Sequence, residues 1–427
     1  MKIVCSPSTL MLPANDTALQ VVLYSQAAHR TQGSAGKAIK SQMLREKLYA
    51  APRAWDFVSL ALSVVTADLA GHRGRSADGW TREFDLEVAV GDATFWNSQR
   101  QRIEQFLAFL TTDLWRVHFI EGGLHVPPPA HPVIPSEDCI VLLSGGLDSL
   151  VGTIDLVAYG EKPFAISQLV RGDARNQESF AAKIGNGLRS LRLNHNARVP
   201  DPEVPPTQRA RSLVFLAYGV LAATTLARYA DDRQTVPLYM CENGFISINP
   251  PLTNSRLGSL STRTTHPAFL QEVQSLLDAA ELRVRIENPY QFKTKGEMLV
   301  ACANQNLLKE LAESSTSCGR FKRYGYRHCG RCIPCQIRRA AFLVWGVLEP
   351  PIKYVFTDLG EDDKEYAGFD DVRSAAMAIA EVQVDGIDRW LGNALSKVPQ
   401  DDVQRLKDVV QRGLNEIAAL HQMHGVK

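Results

Sequence analysis

The sequence predicts an α/β protein: a parallel sheet covered by helices, with an α+β domain before it and a helical extension after it. Three observations carry this expectation. Between residues 138 and 306, short apolar runs alternate with helical stretches, the pattern of repeated βαβ units whose strands are buried on both faces. The first of those runs passes directly into Ser144-Gly145-Gly146-Leu147-Asp148-Ser149, a glycine turn that opens a helix. Four cysteines crowd between Cys318 and Cys335, at spacings that suit a structural metal knuckle.

The elements follow in order. Residues 53–70 place Trp55, Val58, Leu62, Val65 and Leu69 at helical spacing, residues 82–90 alternate as a half-buried strand, 102–115 return to helical spacing, and 115–120 read as a strand. This N-terminal domain, residues 1–135, closes on prolines 127, 128, 129, 132 and 135, which cannot continue a helix or a central strand. The second domain, 136–348, has strands at 139–143, 163–169, 236–241 and 282–286, with helices at 147–159, 178–191, 211–229 and 295–306. The extension, 349–427, reads as three amphipathic helices at 372–383, 384–395 and 401–421.

Composition narrows the function. In 427 residues, 47 Lys and Arg face 46 Asp and Glu, a formal net charge of +1, which argues against a protein that works by neutralising a nucleic-acid backbone. The longest uncharged run, 212–227, holds 16 residues with Ser, Thr and Gly among them, which reads as a buried helix and not a membrane span. Residues 1–12 lack a signal-peptide layout, and cysteines outside the cluster are too sparse for a disulfide scaffold. The expectation is a cytoplasmic protein with no membrane partner.

The loop at 144–149 is built for phosphate. Glycines 145 and 146 allow a tight turn and close backbone approach, and a helix opening at Leu147 offers free amides and the positive end of its dipole. Ser144 and Ser149 add hydroxyl donors. Asp148 would repel a bare phosphate, so it implies either a magnesium ion or a role in holding the loop's own amides. No Gly-x4-Gly-Lys-Ser/Thr run is present, and a loop lacking that lysine suits release of pyrophosphate after attack at the α-phosphorus. Cys318, Cys329, Cys332 and Cys335 can close a tetrahedral shell around Zn²⁺ with no open position; an iron–sulfur cluster is the competing metal.

Ser-Gly-Gly-Leu-Asp-Ser after a strand resembles the PP-loop ATP pyrophosphatases, whose HUP-like domain adenylates an oxygen that a nitrogen or sulfur nucleophile then displaces. Within them, Thr316-Ser317-Cys318, Cys329-Gly330-x-Cys332, Cys335-x2-Arg338, Ala341-Phe342 and the stretch from Asn288-Pro289 to Lys295-Gly296-Glu297 are similar to the QueC family of 7-cyano-7-deazaguanine synthases. The likeness spans roughly 138–345. With its added segments, the chain resembles the QueC-like proteins of Qat-type bacterial antiviral defence operons. The resemblance implies ATP, Mg²⁺ and Zn²⁺ as cofactors, and activation of a 7-carboxy-7-deazaguanine carboxylate followed by amide and then nitrile formation. It implies that Ser144, Gly145, Gly146, Leu147, Asp148 and Ser149 hold the phosphates. Arg211 with Ser212, or Arg209 in the alternative register, would start a helix near ATP and substrate. Arg171 would lie in the crevice after the second strand, and Lys295 would meet phosphate or acyl oxygen. Asp148, Lys295 and Arg211 are the catalytic candidates.

The chain departs from the family after residue 241. Glu242 and Asn243 could read a guanine-like edge, or Asn243-Gly244 could be a turn. Arg263 and His266 are candidates for facing the carboxylate or its acceptor, and Cys241 reads as a packed thiol. Because added segments make up half of the chain, the expected acceptor includes an amine on a protein partner from the same operon as well as ammonia. Two other readings differ in class: a tRNA-thiolating enzyme, disfavoured by the balanced charge, and a non-catalytic nucleotide-binding scaffold.

Overall fold

The computed structural model describes residues 1–10, 17–204, 209–252, 263–360 and 370–426. The N-terminal segment comprises β1 (Lys2–Pro7), β2 (Ala18–Leu23), β3 (Gly33–Ala35), α1 (Lys37–Arg45), α2 (Pro52–Ala70), β4 (Glu83–Val90), α3 (Ala93–Ser98), α4 (Arg100–Thr111) and β5 (Leu114–Glu121). Its five strands form a sheet in the order β3-β2-β1-β4-β5, and every neighbouring pair is parallel. Ile3 at the centre lies opposite both Leu19 and Leu86. The segment is therefore layered α/β where α+β was expected. The three short strands before residue 36 carry too few alternating positions to announce themselves in sequence, and they supply the parallel neighbours.

The second sheet follows the proline-rich joint. It uses β6 (Cys139–Leu142), α5 (Leu147–Ala158), β7 (Pro163–Gln168), α6 (Ala174–Lys183), β8 (Ser190–Leu193), α7 (Arg211–Ala223), β9 (Val236–Tyr239), α8 (Gly244–Ile248), α9 (Pro267–Ala279) and β10 (Val284–Glu287). The order is β10-β9-β6-β7-β8, again parallel throughout. From β6 the chain winds outward to β8 and then restarts at β9 on the other side, so β6 and β9 flank the switch point where open α/β sheets place ligands. The expected helix over 178–191 is split: Gly185 and Gly187 have φ of +60 and +107, α6 ends before them, and residues 190–193 become an edge strand.

Helices α10 (Lys295–Ala301), α11 (Gln305–Leu311) and α12 (Ile333–Trp345) complete this part. A single helix was expected over 295–306, but Asn304 caps a fresh start at α11. The extension forms α13 (Asp371–Asp385), α14 (Ile387–Leu391) and α15 (Gln400–Met423).

A single core joins both sheets. Helices α2 and α7 are apolar almost all round and buried on nearly every face, which requires neighbours on all sides. They pack on each other between the sheets, and the cluster they anchor runs from Ile3 and Phe84 to Ile140, Phe164 and Leu238. A separate cluster locks α15 onto α12 and α8. No helix of the described residues is long and apolar enough to cross a membrane.

Candidate functional site

The turn after β6 is held from three sides. Gly145 has φ +90, a conformation that favours glycine. Its carbonyl accepts from Thr316 N at 3.0 Å, Gln177 Nε2 donates to the Ser144 carbonyl at 3.0 Å, and Ser167 Oγ donates to the Leu143 carbonyl at 2.7 Å. Ser144 Oγ and Ser149 Oγ lie 3.0 Å apart. Helix α5 then starts with no side-chain cap, so its first-turn amides stand ready for an anion.

Asp148, Lys295, Glu242 and Asn243 converge beneath this turn. Lys295 Nζ stands 2.6 Å from Asp148 Oδ1, while Asn243 Nδ2 and the Asn243 backbone amide donate to Asp148 Oδ2 at 2.6 and 3.2 Å. Asp148 thus neither holds the loop's amides nor stands free for a cation: its carboxylate is engaged by Lys295 and Asn243. Glu242 is hydrogen-bonded to the same carboxylate, and its backbone is clamped by Asn288, which accepts from Glu242 N at 3.2 Å and donates to the Glu242 carbonyl at 2.8 Å. Burial alone would raise both acids. Attraction to Lys295 overrides burial at Asp148 and holds it below the usual carboxylate range. Burial and then the Asp148 charge push Glu242 well above it. Of the two carboxyls facing one ammonium, Asp148 is thus the one that holds its charge and Glu242 the one that takes up a proton more readily.

Two cavities meet over the carboxyl ends of β6 and β9. One, of about 280 Å³, is lined by Gln168, Arg211, Ser212, Phe215, Thr264 and Thr265 among others. The other, of about 240 Å³, is lined by Gly146, Leu147, Asp148, Lys295, Thr316 and Ser317 among others. Ser144, Ser149, Cys241 and Glu242 border both. Arg211 faces the first cavity, whereas Arg209 donates to Thr111 O and Thr112 Oγ1 at 2.6 and 2.8 Å, towards the N-terminal sheet. The structure therefore places Arg211 with Ser212, and not Arg209, at the cavity bordered by Ser144 and Ser149.

Four other expected contacts fall elsewhere. Arg171 is exposed and lies over the Tyr326 ring, because the chain turns outward at Gly172 before α6. Arg263 donates to Phe109 O at 3.0 Å and stacks on the Phe109 ring. His266 caps α9, accepting from Ala268 N at 3.2 Å, with Nε2 2.9 Å from Ala394 O. Both ring nitrogens are thereby used, and burial lowers its pKa to about 4. Asn243 is fully buried: its amide nitrogen serves Asp148, and its oxygen caps α8 by accepting from Ile246 N. It has no edge left to read a base. The neighbours of Arg263 and His266, Thr264 and Thr265, are the residues that line the cavity. Sequence reasoning missed them along with Gln168 and Phe215; only Gln168, ending a central strand, carried a signal through the rule for ligands at strand ends. Cys241 is buried against Gly152 with its thiol raised by burial, as a packed thiol should be.

The four cysteine sulfurs lie within 4.8 Å of one another. Cys318 and Cys332 Sγ are 3.9 Å apart, and Cys329 and Cys335 Sγ 3.8 Å. A tetrahedron with Zn–S bonds of about 2.3 Å has edges of about 3.8 Å, so the donor set fits one zinc ion and leaves no room for a cluster with its own sulfides. Gly330, at φ +90, makes the tight turn; a Cβ there would stand 2.2 Å from Phe356 O. The knuckle also reaches the turn at Gly145. Fully buried Arg338 pairs with Glu349 and donates to Ser315 O, Ser315 Oγ and Ser317 Oγ. It thereby fixes the loop segment whose Thr316 amide holds Gly145.

Residues 264–346 match the family model described as queuosine biosynthesis protein QueC. Over 235 residues, covering 51% of this chain and 98% of the relative, the sequence is 36% identical to the 7-cyano-7-deazaguanine synthase of Methanocaldococcus jannaschii.

Proposed function

Because the chain belongs to the QueC family, we propose that it uses ATP to adenylate the carboxylate of a 7-carboxy-7-deazaguanine-like base and then passes the acyl group to an amine. The observation that carries this reading is the pair of joined cavities at the sheet's switch point, with the phosphate turn between them.

The cavity beside Lys295 suits pyrophosphate. It offers the uncapped start of α5, the hydroxyls of Ser149, Thr316 and Ser317, and the Lys295 ammonium. The cavity beside Arg211 suits the nucleoside and the planar base: Phe215 gives an apolar face, Arg211 a cation for a carboxylate, and Gln168, Thr264 and Thr265 hydrogen-bonding groups. One carboxylate oxygen bonds to the α-phosphorus, the bond to the bridging oxygen breaks, and the electron pair leaves on pyrophosphate. Ser144 and Ser149, shared by both cavities, lie where the α-phosphate passes from one to the other. Magnesium would enter with the triphosphate and offset its charge. Cys318, Cys329, Cys332 and Cys335 would hold zinc in a structural role, since four thiolates leave it no open position.

The acceptor is proposed to be ammonia or an amine on a protein partner; its nitrogen displaces AMP from the acyl carbon, giving an amide that a second ATP can activate for loss of its oxygen to the nitrile in the first case, and a conjugate in the second. The setting proposed is bacterial antiphage defence. Added structure supports the conjugate: half of this chain has no counterpart in the matched relative, and ammonia needs no docking surface. The test is ATP–pyrophosphate exchange with and without 7-carboxy-7-deazaguanine, followed by mass spectrometry of products with ammonia or partner proteins. Exchange that does not depend on the carboxylate rejects the reading, and free nitrile with unmodified partners rejects the conjugate.

A further inference from the structure

Helix α15 lies beyond the residues that match the family model, yet it grips the element that carries Lys295. Two residues one helical turn apart do this. Arg412 Nε donates to Glu297 Oε1 at 2.5 Å, and its Nη2 donates to the Phe292 carbonyl at 3.0 Å. Glu416 accepts from the Thr294 hydroxyl, and its carboxylate lies against the Gly296 backbone, whose amide favours the ionised form. Gly296 permits the approach, since a Cβ there would stand 2.7 Å from Glu416 Oε1. Thr294 and Gly296 are the residues on either side of Lys295. A single carboxylate from the C-terminal helix thus bonds the residue before the lysine and packs on the residue after it.

We propose that Glu416 is a positioning residue for Lys295, holding the first turn of α10 so that the ammonium is aimed at the departing pyrophosphate. A lysine stem has four rotatable carbons and little direction of its own, so the ammonium is only as well placed as the backbone beneath it. This inference rests on the proposed role of Lys295 in adenylation.

The arrangement also carries a pH signature. Burial raises the Glu416 carboxyl to about 7; Glu297 across the seam adds to this, while Thr294, the Gly296 amide and Arg412 oppose it. From α12, the side chain beside Gly296 is the uncharged Val344. The ionised form accepts from Thr294 and faces the Gly296 amide. As pH falls through about 7 the carboxyl gains a proton, an acceptor position is lost and the grip loosens.

The experiment compares full-length wild type, Glu416→Gln and Glu416→Ala in ATP–pyrophosphate exchange between roughly pH 6 and pH 8.5. Expected are an acid limb near neutrality in wild type that is missing in Glu416→Gln, and a KM for pyrophosphate raised about tenfold or more in Glu416→Ala. The KM for the carboxylate should stay within about twofold, and Glu416→Gln, which like the protonated carboxyl keeps one acceptor oxygen, should hold at every pH the pyrophosphate KM that wild type reaches at the acid end, between alkaline wild type and Glu416→Ala. Equal changes in both KM values, or an acid limb that survives in Glu416→Gln, would overturn the proposal. Acylation of Lys295 by an amine-reactive reagent, mapped by peptide mass spectrometry, needs no turnover. It should rise several-fold in Glu416→Ala and less in Glu416→Gln, and labelling unchanged in Glu416→Ala also overturns the proposal. A wild type that lacks carboxylate-dependent exchange counts against the adenylation reading instead, and the labelling result then decides the positioning role alone.

Discussion

Replacing Lys295 with methionine would leave Asp148 a buried carboxylate with only Asn243 and the Glu242 carboxyl as described partners. At 2.6 Å the attraction between the two ions is about 6 kcal/mol at an effective dielectric of about 20. Desolvating both groups offsets much of that, so the pair adds little net stability, but removing one member strands the other at a cost of about 3–5 kcal/mol. Lys295→Met should therefore destabilise the protein by about 3 kcal/mol at pH 7, less at pH 5 where Asp148 can take a proton. The double variant Lys295→Met/Asp148→Leu should recover about 2 kcal/mol of this, because no bare charge remains. Urea titration followed by tryptophan fluorescence measures each stability, and pyrophosphate exchange is run on the same samples. Both variants should lose exchange by about 100-fold or more, so activity and stability separate in the double variant. The reasoning fails if Lys295→Met lies within 1 kcal/mol of wild type, or if the double variant is no more stable than the single one.

Three further outcomes follow from the geometry. Elemental analysis should find one zinc per chain, and its removal by a chelator should lower pyrophosphate exchange before the sheet melts, because the loop that leads into Cys318 holds Gly145 through Thr316. Arg211→Gln should raise the KM for ATP or the carboxylate about tenfold with little change in melting temperature, whereas Arg209→Gln should cost about 1–3 kcal/mol of stability and leave both KM values alone; steady-state kinetics beside thermal melts tells these apart. His266 and His421 are buried, and burial lowers each to about 4. Below the unfolded value of about 6.5 the unfolded chain binds protons that the folded chain does not. Stability should therefore fall between about pH 6.5 and 4, by up to about 1.4 kcal/mol per pH unit for each histidine, with a shallower slope in His421→Asn.

Short-range features of the sequence were the legible ones. The turn at 144–149 and the knuckle at 318–335 are local, and glycine and cysteine spacing specifies each almost by itself. The convergence of Asp148, Glu242, Asn243 and Lys295 could be anticipated as residues of one site but not as an interlocked group, since that depends on how β6, β9 and α10 pack. Reading Arg263 and His266 as site residues failed for the same reason: Phe109 and Ala394, remote in sequence, take their polar atoms, and the adjoining threonines turn inward. The N-terminal sheet was half read because β1, β2 and β3 are short and their parallel pairing is set by long-range contacts.

Finally, the back-to-back seating of α2 and α7 has a practical consequence for anyone wishing to trim this protein to the size of its archaeal relative. Cutting at the proline joint would strip a greasy flank bare on each piece, and such fragments would clump sooner than fold. Calorimetry of the intact chain should accordingly register both sheets melting in one event, so the N-terminal segment is better regarded as ballast keel than as detachable cargo.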